Sequence, residues 1–510
     1  MTGTDSKLAA LANGRAIGMD AVPLLPADEF RRITIDAVAR GWRVASMFAA
    51  AFDGSPSPQL LVILADDEHS QLRVARTAVE DRLYSAITPH CPQVHLFERE
   101  IAEQFGITPV GHPWLKPVRY HRSWTGHDAW QRPAEQPIHP AVGEFYRVEG
   151  DEVHEVAVGP VHAGVIEPGH FRFQCHGEQV FHLEIALGYQ HRGVEEAMLG
   201  GPGGRSIHYA ETLAGDTTIA HATAYCQVVE ALSGCQKSAR SQALRGIALE
   251  LERLANHVGD LGALANDVGF LPTASYCGRL RGDFLNMTAL LCGSRFGRGM
   301  IRPGGVGFDV DQARLDELLR RLDVAAKETA GAVNLLWDTP SVMARFEATG
   351  TLPREVAIEL GVVGPAARAC GLVRDARHDL PSGIYRFAHL PVSTCDSGDV
   401  FARAYVRWME IQQSIQFLRE QIGEIPPGVP RVDVGPLAPR SLAVAINEGW
   451  RGEVCHVAIT DAQARFARYK VVDPSFHNWP ALAYVLRNQQ VSDFPLCNKS
   501  FNLSYCGHDL

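Results

Sequence analysis

ETLAGDTTIAHATAYCQVVE, residues 211–230, passes from a polar, glycine-bearing turn into a run with apolar residues on helical spacing, and carries His221 near its start. The helical pattern continues to residue 270 and recurs over 279–297, 310–333 and 399–423, which predicts a large, mainly helical unit. Ahead of it, HEVAVG, HFRFQC and VFHLEIALG (between 154 and 188) are short β-prone pieces. Behind it, SLAVAIN and VCHVAIT are separated by EGWRG and read as a hairpin, followed by helix and an irregular tail, PLCNKSFNLSYCGHDL.

The block from about 24 to 120 mixes helical spacing (Ala27 to Arg40) with the strand-like LLVILA at 60–65, so it reads as a small α/β unit. HRSWTGHDAWQRPAEQPIHPAVGEFY is polar and proline-bearing without periodicity, and reads as a linker. The expected class is α+β: a small N-terminal α/β domain at 1–122, a linker at 123–150, and a large mainly helical domain with a peripheral β-sheet at 151–510.

The formal charge of −10 over 510 residues argues against a general nucleic-acid binder, which would present a basic face. No apolar run approaches the roughly 18–20 residues that cross a bilayer, and the first twenty residues lack a secretory pattern. Eleven cysteines with no C-x-x-C suit reduced, mostly buried thiols better than a disulfide framework. No four of them approach a cluster spacing, so an iron–sulfur centre in this chain is not expected. No G-x-G-x-x-G opens a βαβ unit, so NAD binding by this chain has no support, and PGGVG lacks the Lys-Ser/Thr ending of a phosphate loop.

Chemistry-bearing residues gather in three places. In GPVHAGVIEPGHFRFQCHGE (159–178), Glu167 flanked by His162 and His170, with His176 beyond, fits a proton relay or a solvated surface loop. In YQHRGVEEAM, His191 and Arg192 precede a helix start and Glu195 follows, which fits a buried ion pair or cap as well as a site. Arg295, Arg298 and Arg302 in GSRFGRGMIRPGGVGFD fit an anionic cofactor group, partner carboxylates or an interdomain salt-bridge network.

EREIAEQFGITPVGHPWLKP (98–117) resembles the closing signature of the 30-kDa-type subunit of respiratory complex I. From GPVHAGVIEPGHFRF onward, YQHRGVEE, LERLANHVGDLGALANDVGF, RFGRGMIRPGGV, GVVGPAARACGLVRDAR and INEGWRGE resemble the complex I 49-kDa-type subunit. They resemble still more the large subunit of membrane-bound nickel–iron hydrogenases of the formate hydrogenlyase type. The fusion of the two parts is typical of that type. The resemblance implies an iron–sulfur small subunit as partner, antiporter-like and anchor subunits in the membrane, and a place on the cytoplasmic side reached only through them.

It also implies a metal site that this sequence does not keep. Hydrogenases of this family hold nickel and iron with four thiolates, from a C-x-x-C before a helix like IAHATAYC and a second at the C-terminus. Here the first pair falls on Ala214 and Thr217 and the second on Ser504 and Gly507. Hydroxyl and methyl groups do not replace bridging sulfurs, so a nickel–iron centre is not expected. The His and Tyr that hold a quinone head in complex I fall on Ile166 and Gly215, although His162, Asp216, His221 and Tyr209 remain to build a polar pocket. Three readings follow: a redox-complex subunit without nickel that passes electrons to a quinone-like acceptor or couples their flow to ion transport, a hydrogenase with an atypical site, and a non-catalytic assembly subunit.

Overall fold

The structure, a computed structural model, describes residues 7–52, 57–162 and 166–510. Strands Ala9–Leu11, Gln71–Ala78, Gln59–Asp66 and Arg43–Ala50 form an N-terminal sheet in that order, with Leu24–Leu25 parallel to Gln71–Ala78. Helix Ala27–Ala39 buries Phe30, Ile33, Thr34 and Ala37, spaced to lie on one face. Every residue of Arg43–Ala50 and Gln59–Asp66 is buried, which is why LLVILA runs apolar without alternation: this sheet has no wet face.

The cover on its second side comes from the far end of the chain. Ser441–Gly449, Gly452–Thr460 and Phe466–Val472 form an antiparallel sheet completed by Arg15–Gly18 from the N-terminus. Period-two alternation splits this sheet between two cores. Leu442, Val444 and Ile446 join the N-terminal core, whereas Ala443 and Ala445 face the helical one. The hairpin is therefore a wall buried on both sides.

Behind the wall, helix Thr218–Ser233 lies on the hairpin, and Ala239–Asp267 packs against Leu271–Cys292 and Val400–Gly423. Gln312–Trp337 completes the bundle. Gly262 permits a close crossing of Ala239–Asp267 and Leu271–Cys292, because a Cβ there would sit 2.7 Å from the Cβ of Cys277. A peripheral sheet of Val153–Val158, His170–His176 and Gln179–Ala186 stands at the edge.

Three local readings change. The helical stretch 218–270 is two helices, broken at Gly234 (φ +65°) and restarted by Ser238, whose hydroxyl accepts from the Ser241 amide. The hairpin turn is tighter than EGWRG, because Gly449 pairs with Gly452 and leaves only Trp450 and Arg451 in the loop. The tail is helical, Phe494–Phe501 and Tyr505–Asp509, with Ser504 capping the second piece through the Gly507 amide.

A buried charge cluster fastens the two cores. The Glu195 carboxylate accepts from the Lys470 ammonium (3.0 Å), the Arg468 guanidinium (3.0 Å) and the Val471 amide (3.0 Å). Lys470 also pairs with Glu100 at 2.6 Å, and Glu100 pairs with Arg119. Burial opposes ionisation of Glu195, yet Lys470, Arg468 and Arg119 hold its pKa below the usual carboxylate range. The ion-pair reading of Glu195 is the observed one. Lys470→Met leaves Glu100 and Glu195 short of their shared cation and is expected to cost about 3–5 kcal/mol, read as a lowered thermal midpoint of the full chain.

Candidate functional site

The segments around 214–217 and 504–507, where the resemblance places the thiolates, come together beside the hairpin turn: Arg192 bonds the Leu213 and Cys506 carbonyls, and Arg451 bonds the Thr217 hydroxyl and the Asn502 carbonyl. Ala214, Thr217, Ser504 and Gly507 are all buried. Charged and hydroxyl side chains pack between them. Asp216 receives both terminal nitrogens of Arg451, at 2.6 and 2.8 Å, and the Thr217 hydroxyl at 3.2 Å. Arg451 reaches in from the two-residue turn, stacks on Trp450 (3.9 Å to the ring centre) and donates to the Asn502 carbonyl. Burial raises the Asp216 pKa, but Arg451 outweighs it and holds the group below its ordinary value.

Asp473 occupies the other side. It caps helix Pro474–Val485 through the Ser475 amide and accepts a hydrogen bond at 3.1 Å from His221 Nε2. A Cβ added at Gly507 would lie 2.6 Å from its Oδ2. From His221 a chain of contacts runs inward: Nδ1 to His456 Nε2 at 3.0 Å, and His456 Nδ1 to the Tyr469 hydroxyl at 2.8 Å. All four members are buried. With both rings neutral, every donor points one way: Tyr469 O–H to His456, His456 N–H to His221, His221 N–H to the Asp473 carboxylate. Burial drives the His456 pKa well below the ordinary imidazole value, so that ring stays neutral.

Glu167 and Arg192 stand at the rim. Glu167 accepts at 3.3 Å from the amides of Tyr505 and Cys506, the first turn of the last helix. Arg192 donates to the carbonyls of Thr212 (2.7 Å), Leu213 (3.0 Å) and Cys506 (3.4 Å), tying the loop before Ala214 to the tail. His191 stacks on His121 at 4.5 Å and bonds the Asp509 carbonyl at 2.8 Å; burial pushes its pKa down to about 4.

Other candidates lie elsewhere. The His162 ring bonds the Gly169 carbonyl at 3.0 Å, and His170 contacts Gly159 and Arg172, so neither touches His221 or Asp216. Tyr209 packs on the helical core, and the polar pocket expected from these side chains does not form as one unit. The arginines do not converge either: Arg302 pairs with Glu211 at 2.6 Å, while Arg295 and Arg298 are exposed. Sequence reasoning missed Arg451, Asp473, His456, Tyr469 and Glu252. Asp473-Pro474 carries a helix-start signature that marks a capping carboxylate, whereas His456 inside an apolar strand has no local signal.

The side chains at the four positions where the resemblance places thiolates do not fit a nickel–iron centre. A methyl, two hydroxyls and a glycine offer no soft ligand, and Asp473 fills the space a side chain at 507 would need. The nearest thiol, Cys506, lies 3.5 Å from the Ser504 hydroxyl, and burial beside Glu167 raises its pKa to about 11. Among the described residues, no three or more His, Cys, Asp or Glu are disposed to hold a metal ion.

Residues 43–135 match the model of the respiratory-chain NADH dehydrogenase 30 Kd subunit, and 267–441 that of its 49 Kd subunit. Formate hydrogenlyase subunit 5 of Escherichia coli is 30% identical over 83% of this chain and 76% of its own length. The carbon monoxide-induced hydrogenase of Rhodospirillum rubrum is 30% identical over 68% of this chain and 97% of its own. NADH-quinone oxidoreductase subunit 4 of Thermus thermophilus is 30% identical over 67% of this chain and 90% of its own. The chain belongs to this family of fused 30-kDa-like and 49-kDa-like subunits, which it shares with formate hydrogenlyase subunit 5.

Two measurements check the site. Gly507→Cys drives a side chain into Asp473 and is expected to lower the thermal midpoint by several degrees; combining it with Asp473→Ala should cost less than the sum of the two changes. Glu252 accepts the amides of Ile219 and Ala220 at 2.7 and 3.2 Å, yet burial lifts its pKa to about 8. From the ordinary carboxyl value up to about 8, the folded protein keeps a proton that the unfolded chain has lost, so stability present at low pH is lost as pH rises through that window. Glu252→Gln should therefore flatten the fall of the thermal midpoint between about pH 5 and pH 8.

Proposed function

We propose that the chain serves a membrane-associated redox complex as a subunit that carries protons through the site at its hairpin tip. The observation that supports this is the one-directional chain from Tyr469 through His456 and His221 to Asp473. The Tyr469 hydroxyl passes its proton to His456 Nδ1 and takes one back from a water molecule, His456 Nε2 releases its proton to His221 Nδ1, and the His221 Nε2 proton passes to the Asp473 carboxylate. Both rings end neutral in the other tautomer. Arg451 holds Asp216 ionised nearby and sets the electrostatic field at the receiving end.

In this reading electrons travel through iron–sulfur clusters of a partner small subunit to a quinone-like acceptor. Antiporter-like and anchor subunits tie the assembly to the cytoplasmic side of the membrane. No helix of the described residues is long and apolar enough to cross a membrane, which is compatible with attachment through partners. A quinone is proposed as the acceptor of the complex and not as a ligand placed against particular residues of this chain. The dense packing around Ala214, Thr217, Ser504 and Gly507 favours a second reading, a non-catalytic assembly role.

His456→Gln separates the two, because an amide can keep both hydrogen bonds yet cannot exchange protons between two nitrogens. In the purified complex, proton uptake per electron is expected to fall about tenfold while native-gel assembly stays intact. Unchanged uptake supports the assembly role. Metal analysis of the same sample is expected to find no stoichiometric nickel, and stoichiometric nickel would overturn both readings.

A further inference from the structure

A cleft of about 710 Å³ opens between the N-terminal domain and the peripheral sheet, and neither Asp216 nor Arg451 lines it. His182, Leu183, Glu184, Ile185, Ala186 and Leu187 all border it. Successive residues of a strand point to opposite faces, so a lining of consecutive residues means that the strand's edge, not one face, faces the cleft. Gln179–Ala186 is the outer strand of its sheet, paired only with His170–His176 over most of its length.

The register identifies which backbone groups face outward. Val180 turns its amide and carbonyl away from the sheet, to the Gln489 carbonyl (2.9 Å) and the Asn488 amide (2.7 Å). Cys175 pairs with Val180 and Gln174 with His182, so Phe181 is an extra residue that flips the alternation. Beyond it, the outward groups belong to Leu183 and Ile185. Among the described residues these have no partner outside the sheet. Residues 488–490 have thus begun a fourth strand that stops where the cleft begins.

This edge lacks the usual guards. FHLEIAL, 181–187, contains no proline, and its one charge, Glu184, is taken by Lys116, Trp114 Nε1 and the Tyr146 amide. The opposing walls are apolar, with Leu96, Pro117, Trp479 and Tyr484. Their charges are cationic. Among the described residues, Arg99 donates only to the carbonyls of Lys116 and Pro117, at 2.8 Å each, and Arg487 lies over Tyr484 with no carboxylate paired to it. Arg99, Lys116 and Arg487 against Glu184 leave the cleft positive.

We infer that this cleft receives an extended segment of a partner polypeptide, which adds as a strand to the Leu183–Ile185 edge and places acidic side chains against Arg99 and Arg487. Backbone pairing supplies affinity, and the alternating apolar wall and cations select the sequence. The inference needs the chain to have a partner polypeptide, as in the reading above, but does not depend on the proton chain.

Hydrogen–deuterium exchange of the full chain, alone and in the native complex, tests it. The amides of Leu183 and Ile185 are expected to exchange about tenfold or more slowly only in the complex. Arg487→Glu should remove that protection while Arg487→Lys retains it, and a photo-crosslinking side chain at Tyr484 should capture an acidic segment of a partner polypeptide. Equal exchange in both samples, protection already present in the chain alone, or a crosslink to a small molecule or lipid overturns the inference. Failure of the proton reading would show instead as unchanged proton uptake in His456→Gln.

Discussion

The pairing of Arg451 with Asp216 is the contact on which the arrangement of the site depends. Arg451 is buried while Asp216 keeps part of its surface in solvent, and a two-pronged contact at 2.6 and 2.8 Å matches the buried guanidinium. The pair does more than neutralise itself. Arg451 sits in a two-residue turn, so its reach fixes the hairpin tip against the start of helix Thr218–Ser233, and Trp450 adds a bond from its indole nitrogen to the Asp216 carbonyl at 3.0 Å. Once that tip is placed, Asn502 and the capped C-terminal helix follow it through the Arg451 contact.

The same hairpin explains how two domains of different class share one molecule. Its alternate residues feed two cores, so neither the N-terminal sheet nor the helical bundle is closed without it. The buried Glu195, Lys470, Glu100 and Arg119 cluster crosses this wall and sets the register of one domain on the other. A site at the hairpin tip is consequently held by rigid elements on both sides, which suits a hydrogen-bonded chain that must keep its spacing.

The positions at which the resemblance places four thiolates stand beside two carboxylates, Asp216 and Asp473. Four thiolates would present negative charge and soft donors to a metal pair; the observed site presents Asp216 and Asp473, one matched by a guanidinium and the other by an imidazole. The carboxylate of Asp473 lies where a side chain at 507 would stand, so glycine there is a packing requirement.

Much of this was legible along the chain. Helical spacing located the bundle, the run at 60–65 marked a buried strand, and the absence of C-x-x-C at 214–217 and 504–507 was plain from the residues alone, because these signals are local. Boundaries that depend on one residue, such as the break at Gly234 and the turn at Trp450 and Arg451, needed the backbone. What only the tertiary structure decided was partnership. Asp216 meets Arg451 across 235 positions and His221 meets Asp473 across 252, and no periodicity records which polar group will answer which across such distances. The chain dictates its elements through nearest-neighbour geometry, whereas the site arises from desolvated groups that must find complementary partners once the elements have packed.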